Sequence, residues 1–286
     1  MYDLTIDFHK LKYLLIFLLC ATICLFSIPV VSGITTSASV SVKLPIIMYH
    51  HLSENSKKLN KYTISPSQFK DDLDYIKSNG FTTVNIADLI DFCENKKSLP
   101  PKPIMITFDD GYMSVFEYAY PLLKQYDMKA VINIIGKYTD IYSECDDHNI
   151  NYSHITWDEL KAMQQSGVFE IQNHTYDMHL NGIRNGIAKK PSESDEAYQQ
   201  ALFEDLNSLQ TKIAQKLSVT PTAFAYPFGK IEKKALSIIK KVGLKAVFCC
   251  WEKTNYLTGN SEELYHLNRF NRPAEISTKT FFSKLQ

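Results

Sequence analysis

The chain reads as an α/β protein built on a parallel sheet, and three observations carry that reading. Strand and helix signals alternate from about residue 44 to residue 250 with few hairpin turns between them, the order that βαβ units require. About 250 residues follow an N-terminal apolar segment, a length typical of an α/β barrel. The apolar run 103–108 ends on Asp109 and Asp110, so two carboxylates stand at the carboxyl end of a buried strand, where such folds place their ligand sites.

Taken in order, residues 13–31 are uncharged and apolar and are preceded by Lys10 and Lys12. The stretch is close to the roughly 20 residues that span a bilayer, while Val30 to Ser32 before Gly33 also reads as a small-residue cleavage site. Residues 1–33 are therefore expected to be a cytoplasmic stub with a membrane anchor, or a signal peptide. The lysines place the rest of the chain outside the cytoplasm under either reading. A Ser- and Thr-rich tether, 34–43, leads into a single domain, 44–286. Its first strand starts at Leu44 and delivers His50 to a strand end, with His51 pointing inward instead if the register shifts by one. Ser65, Pro66 and Gln68 form a capping-box start for a helix whose Phe69, Leu73 and Ile76 share one face and which stops at Asn79 and Gly80.

A short strand over 81–84, a helix over 86–95 and a loop over 96–101 precede the Asp-bearing strand. A helix over 112–126 and a strand over 130–135 follow. Residues 140–153 are polar and read as irregular. Thr156 and Glu159 repeat the capping box for a helix ending at Ser166 and Gly167. After the histidine-bearing strand, residues 182–195 read as a polar loop. A long helix over 195–217, a strand over 223–226, a helix over 232–242 and a strand over 245–250 complete the alternation.

Lys plus Arg number 31 and Asp plus Glu 31, so the formal net charge is zero. With no basic stripe, nothing points to nucleic acid as a partner. The 17 Tyr and 16 Phe suit sugar stacking and an apolar core equally well. Cys20 and Cys24 lie in the apolar segment. Cys93, Cys145, Cys249 and Cys250 lack zinc-finger spacing and read as free buried thiols, with a disulfide through Cys93 or Cys145 as the alternative.

Taken alone, Asp109-Asp110-Gly111 fits a turn as well as a site. The stretch Glu170 to His179 adds His174 and His179, and one carboxylate with two imidazoles meets the three-ligand count of a catalytic metal. Five residues apart, the two histidines would point about 140° from each other on a helix, so they must converge from a loop.

The sequences Thr107-Phe-Asp-Asp-Gly111 and Asn173-His-Thr-Tyr-Asp-Met-His179 resemble the first two motifs of the polysaccharide deacetylases, the NodB-type carbohydrate esterases. The resemblance implies a distorted (β/α) barrel of about seven strands. It also implies Asp109 as general base, and Asp110, His174 and His179 as ligands of a divalent metal, zinc first, with cobalt, nickel or manganese also compatible. The five-residue histidine spacing is similar to that of the poly-N-acetylglucosamine deacetylases. The third motif, Ala225-Tyr-Pro-Phe-Gly229, has alanine where the family has the arginine that orients the base. Arg269 is the candidate replacement, although a surface ion pair is the commoner role for one arginine. The backbone N–H of Phe228 matches the oxyanion donor. The family's late Leu-x-Leu-His is absent and the setting of His266 does not match it, whereas Tyr49-His50 matches the early acid of the poly-N-acetylglucosamine branch. The resemblance thus implies a monomeric, metal-dependent N-deacetylase of an extracellular N-acetylglucosamine polymer, exopolysaccharide or peptidoglycan, held to the membrane by its N-terminal helix. A surface glycan-binding domain without turnover and an acetyl-xylan-type esterase are the alternatives.

Overall fold

The computed structural model describes residues 41–285, together with Lys12. The apolar segment 13–31, and with it the anchor-or-signal expectation, lies outside the described residues. Among those described, no helix is long and apolar enough to cross a membrane.

The described strands are, in chain order, β1 (Val42–Leu44), β2 (Ile46–Tyr49), β3 (His51–Leu52), β4 (Thr63–Ile64), β5 (Thr82–Thr83), β6 (Pro103–Asp110), β7 (Ala130–Ile134), β8 (Phe169–Asn173), β9 (Ala223–Ala225), β10 (Ala246–Phe248), β11 (Asn255–Leu257) and β12 (Phe270–Asn271). The main sheet runs β10-β9-β8-β7-β6-β2-β12, parallel throughout, with β5 also beside β6. Residues 267–271 join its two ends. Leu267 bridges to Phe248 of β10 and donates its N–H to Val247 at 2.9 Å, while Phe270 pairs with Ile47 of β2. The closing strand is thus interrupted at Asn268 and Arg269, and the barrel is distorted at that point. β1 pairs antiparallel with β11, so Val42 and Lys43, expected in the tether, already belong to the fold.

Alternation along the strands divides the core. Ile47, Ile106 and Ile132 pack outward against Phe69, Leu73, Leu160 and Met163 of the surrounding helices. Ile46, Met105 and Val131 pack with Ala223, Ala225 and Ala246, whose small side chains suit the barrel interior. On β6 the same parity puts Thr107 and Asp109 inside. The capping boxes at Ser65 and Thr156 are both made, each satisfying helix N–H groups that would otherwise be left open.

Several elements differ from the sequence reading. Residues 112–126 are not one helix. Tyr112 bridges to His154, Val115–Ala119 is a widened π turn, and the α-helix starts at Tyr120. Pro121 explains the break, because it lacks an N–H and its ring excludes the carbonyl four residues earlier. Residues 140–145, expected to be irregular, belong to the helix Gly136–Cys145, whose apolar face was hidden because only Gly136 and Thr139 are buried. β11, β12 and the helix Thr278–Ser283 were not anticipated, being too short to show a period. Cys93, Cys145, Cys249 and Cys250 are all free, and Cys145 is exposed rather than buried.

Candidate active site

The carboxyl end of β6 separates its two aspartates. Asp109 faces inward and is buried, and the Arg269 guanidinium grips it as a fork, Nη1 to Oδ1 and Nη2 to Oδ2, both at 2.7 Å. Asn133, opposite Asp109 on β7, donates Nδ2–H to Oδ1 at 2.7 Å. Arg269 is itself fully buried rather than paired at the surface, because the break in the closing strand turns it inward. Its Nε donates to the Cys249 carbonyl at 3.2 Å and its Nη1 to Thr107 Oγ1 at 3.3 Å, while the Thr107 hydroxyl donates to Ile47 O. Burial alone would raise the Asp109 pKa, but the Arg269 charge and the neighbouring imidazoles outweigh it and hold the carboxyl far below the usual range.

Asp110 lies past the turn in backbone direction, at φ 72°, followed by Gly111 at φ 78°. Its Oδ1 is buried without a hydrogen-bond partner and stands 3.5 Å from His174 Nε2 and 3.4 Å from His179 Nε2. His174 follows β8 directly, with its N–H on Ile134 O at 3.0 Å. Its Nδ1 faces the Ala225 carbonyl at 2.8 Å, and since a carbonyl only accepts, Nδ1 carries the hydrogen and Nε2 presents a lone pair. The intervening loop is bent by Thr175 at φ 75° and tied down where Asp205 accepts the N–H groups of Tyr176 and Asp177 at 2.9 and 2.8 Å. That bend returns His179 to within 4.8 Å of the His174 ring. Burial, followed by the nearby His174, lowers His179 to about 4, keeping it neutral. Burial pushes Asp110 upward, but the surrounding imidazoles of His174, His50 and His179 outweigh it and bring it down to about 2.

One carboxylate oxygen and two imidazole nitrogens, all within 4.8 Å of one another, are a donor set suited to a divalent cation. Ligand atoms about 2.0–2.1 Å from a tetrahedral zinc stand about 3.3–3.4 Å apart, close to the Asp110–histidine separations here. The orphaned Oδ1 of Asp110 is the atom such a cation would satisfy.

The triad opens onto a cleft of about 1350 Å³ whose lining includes Tyr62, Tyr138, Tyr142, Tyr152 and His154. His50, just after β2, lines it too. Its Nδ1 is buried without a partner, and its pKa is lowered first by burial, with Asp110 and Asp109 opposing. His51 also borders the cleft, but its ring packs edge-on against Tyr112 at 5.0 Å. His266 is exposed on the 3₁₀ turn Ser261–His266 and lies outside the cleft. Phe228 has φ 55°, and its ring sits 4.4 Å from that of His179. Gly229 beside it has φ 64°, and a Cβ there would come within 2.6 Å of Cys250 Cβ, so the turn requires glycine.

Sequence reasoning did not single out Asn133, and Thr107 and Ala225 were noted only as parts of motifs. Asn133 did leave a signal, as the one polar residue in the apolar run 130–135. The Ala225 carbonyl left none, because a backbone acceptor carries no residue type.

Residues 96–247 match the family described as polysaccharide deacetylase. A poly-beta-1,6-N-acetyl-D-glucosamine N-deacetylase of Staphylococcus aureus is 31% identical over 211 residues, 74% of this chain and 68% of that protein. Among solved structures, a de-N-acetylase from Aggregatibacter actinomycetemcomitans aligns with a TM-score of 0.74 at 23% identity, over 85% of this chain and 100% of that one. IcaB from Ammonifex degensii aligns at 0.68 and 23% identity, over 85% and 97%. These two likenesses establish the fold.

Proposed function

The chain belongs to the polysaccharide deacetylase family, and from that premise we propose that it removes N-acetyl groups from an N-acetylglucosamine exopolysaccharide outside the cytoplasm, using a divalent cation held by Asp110, His174 and His179. The observation that carries this reading is the division of labour at the end of β6. Asp109 is locked onto Arg269, while Asp110 is left with an unpartnered oxygen between two imidazoles. The activity named for the Staphylococcus relative and the five-residue spacing of His174 and His179 favour this polymer over peptidoglycan and over acetyl-xylan. The positive flank of the segment 13–31 supports export, with the domain 44–286 as the catalytic part.

A divalent cation in this triad supplies a Lewis acid for the acetamide carbonyl and lowers the pKa of a water. Asp109 is ionised in advance. Its Oδ1 takes two donors and its Oδ2 one, so Oδ2 keeps the lone pair that accepts a proton from the attacking water. Arg269 and Asn133 prevent that carboxylate from turning away. The Phe228 N–H donates to the oxyanion, and His50 delivers a proton to the departing amine, leaving acetate and a free amino sugar.

Purified protein supplied with zinc or cobalt is expected to release acetate from N-acetylglucosamine oligomers, and Asp109→Asn to slow that release by about 100-fold or more while retaining metal. Release unaffected by the substitution, or a wild-type chain that takes up no metal, would overturn the assignment.

A further inference from the structure

We infer that Tyr138 and His154 form a subsite for the sugar next to the reacting one, with the sugar ring stacked on Tyr138 and one of its hydroxyl hydrogens accepted by His154 Nε2. The inference rests on the proposed polymer-deacetylase reading and names how that same cleft grips its substrate.

His154 is 6% exposed, and its Nδ1 lies 2.9 Å from the backbone oxygen of Asp110. A carbonyl only accepts, so Nδ1 carries the hydrogen and the Nε2 of the neutral ring is an acceptor. That nitrogen takes no hydrogen bond from the described residues, yet it is not among the buried polar atoms left without partners, so it reaches the cleft that His154 lines. The ring cannot swing. Residues 153–155 run antiparallel to 111–113, with Met113 N on Ser153 O and Ile155 N on Gly111 O, both at 2.8 Å. Tyr138, Tyr112 and Tyr142 lie 4.6, 4.8 and 5.5 Å from the imidazole centroid at shallow interplanar angles. An apolar side chain would pack equally well among three tyrosines. What the imidazole adds is a fixed acceptor, already desolvated on its protein side, aimed into the cleft.

Tyr138 and Tyr152 expose 37% and 52% of their surface at this end, and an aromatic face with a polar tip suits a sugar's mixed surface. The cleft, at about 1350 Å³, exceeds the roughly 300–1,000 Å³ of a typical small-molecule pocket, leaving room for more than one sugar. Because His154 is bonded to the backbone of Asp110, the subsite lies directly beside the triad, and its occupant is the neighbouring residue of the same chain.

The test separates the two nitrogens. In His154→Asn the amide Nδ2 stands where Nδ1 was and still donates to Asp110 O, but no atom remains at the Nε2 position. With a β-1,6-linked N-acetylglucosamine tetramer, His154→Asn and Tyr138→Ala should each raise KM roughly 5- to 10-fold, with kcat changed less. The loss in kcat/KM should exceed that on a small aryl acetate by the same factor. Unaltered tetramer KM in both variants overturns the subsite, as does an equal loss on tetramer and aryl acetate, which would make His154 only a brace for Asp110. Calorimetric titration of the tetramer keeps this apart from the function itself. Wild-type binding that both variants weaken, without acetate release, would sustain the subsite and sink the deacetylase reading, whereas acetate release with unaltered variant KM would do the reverse.

Discussion

Arg269 and Asp109 are both buried, and a buried pair is stable only if every oxygen and N–H it contains is met. Here the planar guanidinium matches the carboxylate edge for edge and directs its three remaining N–H groups to Cys249 O, Thr107 Oγ1 and Cys250 Sγ. A lysine supplies the charge but not the fork. Arg269→Lys is therefore expected to cut acetate release about 10-fold or more with a modest change in urea midpoint. Arg269→Met, which strands a buried carboxylate, should remove about 3–5 kcal/mol of stability. Full activity in Arg269→Lys would show that the fork is dispensable. At this scale the sequence was informative wherever residue type carried the chemistry: Asp110, His174 and His179 were named from it, and the structure brings their ligand atoms within 4.8 Å. Asn133 and His154 were not named, because their roles come from register. Asn133 matters by standing opposite Asp109, and His154 by bridging to Tyr112, and neither pairing is written in the residues themselves.

Among the elements, the helix Pro66–Ser78 shows how a legible pattern can conceal a contact. Phe69, Leu73 and Ile76 gave its buried stripe, and Asp72 falls on that stripe by the same spacing. A charge on an apolar face needs a partner, and it is Arg272, 200 residues away in sequence. Arg272 Nε donates to Asp72 Oδ2 at 2.8 Å and Nη2 to Oδ1 at 3.1 Å, while Tyr49 OH and Thr278 Oγ1 fill the remaining acceptor sites at 3.0 and 2.6 Å. Arg272 Nη1 also reaches Ile276 O at 2.9 Å, so one guanidinium fastens the C-terminal helix Thr278–Ser283 to Pro66–Ser78. Asp72→Ala should cost about 3–5 kcal/mol in urea unfolding, and pairing Asp72→Leu with Arg272→Met should recover much of it, since two apolar groups leave no charge stranded. A double variant as unstable as the single one would show that the stabilisation comes from the network rather than from avoiding an unpaired charge.

Across the whole molecule, the barrel separates reactivity from stability along single strands. The alternation of β-α units was readable because its helices and longer strands have a period. Closure was not, because the closing segment bonds to β10 through Leu267 and to β2 through Phe270, with too few residues on either side to form a pattern. Glu170 lies on β8, four residues before His174 of the candidate site and toward the amino end of the strand. There it accepts the first N–H groups of the helix Ile86–Glu94, Ile86 at 2.7 Å and Ala87 at 3.2 Å. Although part of Glu170 still reaches the surface, burial is the largest influence on its carboxyl. It raises the pKa to about 7 against the opposing pull of those N–H groups. An unfolded glutamate titrates near about 4.3, so between that value and 7 the folded chain holds this proton more tightly than the unfolded one. The resulting stabilisation is complete below about pH 4 and is lost as pH rises through 7. Glu170→Gln is neutral throughout and lacks this loss. Urea midpoints measured from pH 5 to 7.5 should therefore fall more steeply in the wild type than in the variant, and parallel curves would mean that Glu170 is already ionised across that range.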